Sequence, residues 1–82
     1  MILEYNVFHG AVISIETGST VLSVTAEGSM ISMFVLTPNV GGTPVIRTFE
    51  VWEAGTAFDT TGRVFIGTIE RGLIASHVFE VT

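Results

Sequence analysis

Turn-forming residues recur at near-regular spacing along this chain, and between them no window shows the 3.6-residue period of a helix. "ETGS" (Glu16–Ser19), "EGS" (Glu27–Ser29), "TPNVGGTP" (Thr37–Pro44), "AGTAFDTTG" (Ala54–Gly62) and "ERG" (Glu70–Gly72) punctuate it, with His9-Gly10 as a further break. The runs they separate are rich in Val, Ile, Thr, Phe and Tyr, the residues that suit a pleated, half-buried surface. Seven short strands are expected: Ile2–Phe8, Ala11–Ile15, Thr20–Ala26, Met30–Thr37, Val45–Glu53, Arg63–Ile69 and Leu73–Val81. This predicts a single all-β domain over residues 1–82, a compact sandwich or small barrel of about seven short antiparallel strands.

Period-two alternation assigns faces within several of these strands. In the first, Leu3, Tyr5 and Val7 share one side, and Glu4 and Asn6 the other. In the fifth, Val45, Arg47, Phe49 and Val51 face one way, with Ile46, Thr48, Glu50 and Trp52 opposite. The last places Leu73, Ala75, His77, Phe79 and Val81 together. "MISMFVLT" does not alternate and reads as a strand covered on both faces.

Its setting is unusual. From Gly28 through Ile46 there is no charged residue. A spanning helix needs about 20 mostly apolar residues, and this stretch is interrupted by Ser29, Ser32, Thr37, Pro38, Asn39, Thr43 and Pro44. Strand, loop, strand is the better reading. No basic segment precedes a hydrophobic core at the start, so a signal peptide is not expected.

Hydrophobic residues make up 48% of the 82 positions and charged residues only 13%, against about 25% charged in ordinary soluble domains. A domain of this size buries only about 60–65% of the surface its unfolded chain exposes. Apolar surplus is therefore expected outside, where a large patch marks an interface. A homo-oligomer, or docking on a larger protein, is the expected consequence.

With a net charge of −5, no lysine and three arginines (Arg47, Arg63, Arg71), the chain cannot present the basic stripe that displaces counterions from phosphates. Neither nucleic acid nor an anionic membrane is an expected partner. Cysteine is absent, so disulfides and thiolate metal sites are excluded.

Catalytic, metal and cofactor sites are not expected. Ser76 and His77 are strand neighbours and point to opposite faces, so they cannot act as nucleophile and base on each other. His77 reads as a packed strand residue whose ring nitrogens find backbone partners. The two histidines, His9 and His77, lack metal-ligand spacing. "NVGGTP" lacks the lysine and the following helix of a phosphate loop. Trp52 fills the core or anchors an interface. Met30, Met33 and Phe34 are soft apolar material that suits a core.

"FIGT" (Phe65–Thr68), then Gly72, then "HVFE" (His77–Glu80), resembles a family of small β proteins of unknown function associated with bacteriophage genomes. "VLSV" (Val21–Val24) and "RTFEV" (Arg47–Val51) are similar to further segments of that family, and Tyr5 lies in the matching first strand. Gly55-Thr56 falls where the family carries a glycine-threonine-glycine-histidine-proline loop, but Phe58 stands in place of the histidine. Ser76 stands where a tryptophan often precedes the closing histidine. The resemblance implies a phage origin and no enzyme activity.

Two roles are expected from these readings. One is a non-enzymatic virion subunit of the capsid decoration or cement type, using Met30, Phe34, Val40, Val45, Trp52 and Phe58 as interface residues. The other is an accessory protein of the host cytoplasm that binds a host factor or a small signalling molecule to block defence. A ligand pocket between protomers lined by Arg47, Trp52 and His77 would serve that second role.

Overall fold

The alternating runs form strands, and the glycine-containing breaks turn the chain between them. In a computed structural model describing residues 1–38, 42–57 and 59–82, the elements are β1 (Ile2–Val7), β2 (Ala11–Glu16), β3 (Thr20–Glu27), β4 (Met30–Leu36), β5 (Pro44–Glu53), β6 (Arg63–Arg71) and β7 (Ile74–Val81). The seven expected strands are all present, and no helix occurs among the described residues.

They form two antiparallel sheets, with strand orders β1-β4-β3 and β2-β5-β7-β6. The sheets face each other as a sandwich and do not close into a barrel, so the first of the two expected architectures is the one adopted. Two hairpins, β3–β4 and β6–β7, use two-residue connections led by a glycine with positive φ: Gly28 (φ 61°) before Ser29, and Gly72 (φ 63°) before Leu73. A leading glycine suits the primed turns that match strand twist. The second turn therefore lies one step further along than "ERG" suggests: Glu70 and Arg71 stay in β6 and pair with Ala75 and Ile74.

The core lies between the sheets. Val7 comes from β1, and Ile31, Met33 and Val35 from β4. Ala11 and Ile15 (β2), Phe49 (β5), Ile69 (β6) and Val78 (β7) face them from the other sheet. Leu3, Tyr5 and Val7 share the inner face, as their alternation predicts, because they pair with Val35, Met33 and Ile31. β4 runs between β1 and β3, and Ser32 is buried on its outer side between Asn6 and Thr25, but Met30 and Leu36 on that side are exposed and Phe34 is half-buried, so the strand is not covered on both faces as its lack of alternation suggested.

One end of the sandwich is closed by charge. Arg47 projects inward beside Phe49, and its Nε and Nη2 donate to Glu80 at 2.5 and 2.6 Å. Its Nη1 donates to the Ser19 carbonyl oxygen at 3.0 Å, tying the β2–β3 turn of one layer to the β5–β7 pair of the other. A two-pronged guanidinium–carboxylate contact of this kind is among the stronger polar links available to a protein.

Along one side, edge strand β3 runs close to edge strand β6. Both carry a bulge there, Leu22 being the extra residue in β3 and Ile66 in β6. Bulges bend an edge strand and disrupt its ladder locally. Gly67 follows the second bulge, and a Cβ on it would lie 2.9 Å from Val24 Cγ2. Valine is stiff at χ1, so its methyl cannot swing aside as freely as the end of a long flexible side chain. Gly67→Ala should therefore lower stability by about 1–3 kcal/mol. Val24→Ala in the same chain should restore part of the loss, a non-additivity measurable by denaturant unfolding of the four-member cycle.

Candidate interaction surface

β7 determines the character of this molecule's exterior. Cross-strand pairing places Ser76, Val78 and Glu80 on the inner face, opposite Glu53, Val51 and Phe49. Ala75, His77, Phe79 and Val81 therefore point outward. The strand is inverted relative to an ordinary sandwich strand: it sends a serine and a glutamate inside and two large apolar residues outside. Glu80 is satisfied by Arg47. Ser76 is fully buried, and its Oγ has no hydrogen-bond partner among the described residues.

The outer rows of the neighbouring strands extend this surface. Thr48 pairs with Val81 and with Val12, and Val81 pairs with Arg63. Next comes the row Glu50–Phe79–Phe65, then Trp52–His77–Thr68. Phe65 and Phe79 meet edge to face at 5.6 Å between centroids, a favoured aromatic geometry. Ile46 is 74% exposed, Val12 63% and Phe65 56%. The outer face of the four-stranded sheet thus carries large apolar side chains from all four of its strands.

The two charges at the middle of this face are paired with each other, while Glu16 and Glu70 stand nearer its margins. Glu50 accepts from Arg63 Nε at 2.5 Å and from Trp52 Nε1 at 3.1 Å, so the ion pair spans β7 between Phe79 and Val81. The Arg63 guanidinium, and after it the Trp52 N–H, holds the Glu50 carboxyl below its ordinary value. Arg63 also donates from Nη1 to the Asp59 carbonyl oxygen at 2.8 Å, anchoring the loop ahead of β6.

The expected interface residues divide between the two sheets. Met30 (exposed) and Phe34 (half-buried) lie on the outer face of β1-β4-β3, whereas half-buried Trp52 lies on the outer face of β2-β5-β7-β6. Val45 is 41% exposed near the start of β5 and pairs with Ile15. Val40 and Phe58 lie outside the described residues. The three residues expected to line a pocket between protomers do not share one face of the chain. Trp52 and His77 are cross-strand neighbours on the outer face, but Arg47 points to the opposite face, into Glu80. His77 takes the Thr68 hydroxyl as partner, with Nδ1 and Oγ1 2.8 Å apart, in place of the expected backbone group.

Backbone-satisfying histidine chemistry belongs to His9 instead. β2 begins at Ala11, so β5 beyond Phe49 has lost its neighbour on that side. His9 Nδ1 lies 3.0 Å from the Val51 carbonyl oxygen and 3.2 Å from the Val51 nitrogen. One tautomer donates to the carbonyl and the other accepts from the amide. Its ring also stands edge-on to Trp52, with centroids 4.9 Å apart.

Phe65, Phe79, Val12 and Ile46 are the surface residues that sequence reasoning missed. The available signal was the similar bulk of both alternating sets in β7, which shows that one apolar set must lie outside. Among the described residues, no group of three or more His, Cys, Asp or Glu could hold a metal ion. Comparison with protein-family models, curated proteins and solved structures returned no significant match.

Two consequences are measurable. Ser76→Ala removes a buried hydroxyl without a partner and should raise stability by about 1 kcal/mol in chemical unfolding. Because the Glu50 carboxyl is depressed in the folded state, its contribution is complete above the ordinary value of 4.5 and is lost as pH falls through the folded value. The melting temperature should therefore drop on acidification below about pH 4.5, and Glu50→Gln should flatten that drop, as read by calorimetry at graded pH.

Proposed function

We propose that this protein is a non-enzymatic assembly subunit that acts by docking the outer face of its β2-β5-β7-β6 sheet onto other protein surfaces. The observation that carries this reading is the inversion of β7: Phe79 and Val81 point outward while Ser76 and Glu80 point inward. Within the monomer that choice gains the Arg47–Glu80 link and a buried Val78, but it leaves Phe79 and Val81 on the outside. A subunit whose outer face becomes covered gains the burial of Val12, Ile46, Phe65 and Val81, at about 25 cal/mol per Å² of apolar surface removed from water. The central charges, Glu50 and Arg63, are already paired within the chain. The matching surface is therefore expected to be apolar, and copies of this chain and a shell protein are the proposed partners.

The finer assignment draws on the resemblance to phage-associated proteins. In this reading the chain is a capsid decoration or cement subunit located in the virion. Assembly would then supply stability that a small core lacks, since binding only the folded form stabilises it. The alternative, an accessory protein of the host cytoplasm, is favoured by a separate feature, a cleft at one end of the sandwich.

Mass spectrometry of purified virions tests the choice. Many copies per particle are expected for a shell subunit; absence from particles leaves the accessory role. Phe65→Glu places a charge within the proposed contact, on its β6 side, and should weaken assembly at least about tenfold while leaving the fold intact, because Phe65 is already 56% exposed. Unchanged incorporation of that variant would remove this face from the account.

A further inference from the structure

We propose that the cleft at the end of the sandwich where β1 runs into β2 binds a small zwitterion, an α-amino acid with an apolar side chain. The cleft has a volume of about 250 Å³. That is room for about eight waters at roughly 30 Å³ each, enough for an amino acid of leucine or phenylalanine size. Val7 and Ile31, each only 4% exposed, and half-buried Val51 give it an apolar lining. Phe8 and His9 form one wall, and the His9 ring is fixed by the Val51 backbone and by the edge contact with Trp52.

Its charged groups carry the argument. The chain has three arginines and no lysine. Arg47 is engaged by Glu80 and Arg63 by Glu50. Arg71 lines the cleft and has no carboxylate partner among the described residues. One of its N–H groups donates to the Ser29 carbonyl oxygen at 3.2 Å, which positions the guanidinium and leaves further donors for a ligand. Glu53 lines the same cleft, and its carboxylate makes no hydrogen bond or ion pair among the described residues. Opposite charges thus border one apolar-lined space without meeting each other. A ligand with its own carboxylate and ammonium groups, joined to an apolar body, complements both charges and the lining together. Phosphate would meet Arg71 but also the repulsion of Glu53.

The site is independent of the outer sheet face, so its test leaves that reading untouched. Leucine is titrated into ¹⁵N-labelled protein, with leucinamide, N-acetyl-leucine and inorganic phosphate in parallel. Saturable shifts at Ile31, Val51, Glu53 and Arg71, with a Kd of about 1 mM or tighter, are expected for leucine. Each capped analogue should bind at least about tenfold more weakly, because it lacks one of the two charges. Arg71→Gln should abolish the preference over leucinamide, and Glu53→Gln the preference over N-acetyl-leucine. The amide spectra of both variants report whether the fold is kept. Absence of saturable shifts, equal binding of the capped analogues, or tighter binding of phosphate would overturn the proposal.

Discussion

Two thin sheets can exclude water from only one layer of side chains, and this limit governs the molecule. The layer here is small: Phe49, Ile15, Met33, Val35 and Val78 are its largest fully buried apolar members, flanked by Val7, Ala11, Ile31 and Ile69. It has one bulky aromatic at its centre and mostly branched aliphatics around it. Cohesion beyond that layer comes from its margins. Arg47 and Glu80 join the sheets at one end, and the fit of Gly67 against Val24 lets two bulged edges approach along one side.

The same limit explains the exterior. Fourteen large hydrophobic residues are exposed among the described positions, against nine in the buried core. Scattered exposed apolar side chains are normal. Four of the fourteen, Val12, Ile46, Phe65 and Val81, share the outer face of the β2-β5-β7-β6 sheet, and that face includes a strand whose inner positions hold Ser76 and Glu80. The orientation of β7 puts Val78 in the core and Glu80 on Arg47, and it leaves Phe79 and Val81 outside. Retaining this orientation at the cost of an unpartnered buried hydroxyl is the physical basis for reading the face as a contact surface.

The strands were legible because glycine-marked turns and β-branched runs are local features, and local features survive folding. Leu3, Tyr5 and Val7 could be placed on one side of β1 because polar residues alternate with them. β7 could be split into two sets, but the inward set could not be chosen, since Val78 and Phe79 are both large and apolar. Whether the sheets formed a sandwich or a barrel depended on strand order, a long-range property. The separation of Arg47 from Trp52 was implicit in the alternation along β5, yet the pocket expected from them required residues from both faces. The end cleft was beyond reach: Arg71, Glu53, His9 and Ser29 lie far apart in the sequence and meet only because two connections and the ends of β5 and β6 gather at that end.

Side-chain footprinting with hydroxyl radicals, comparing the isolated chain with the same chain in its native assembly, measures the central claim directly. Val12, Ile46 and Phe65 should react readily in the free protein and lose most of that reactivity on assembly. Unchanged reactivity at these three positions, in an assembly that demonstrably contains the chain, would contradict the account.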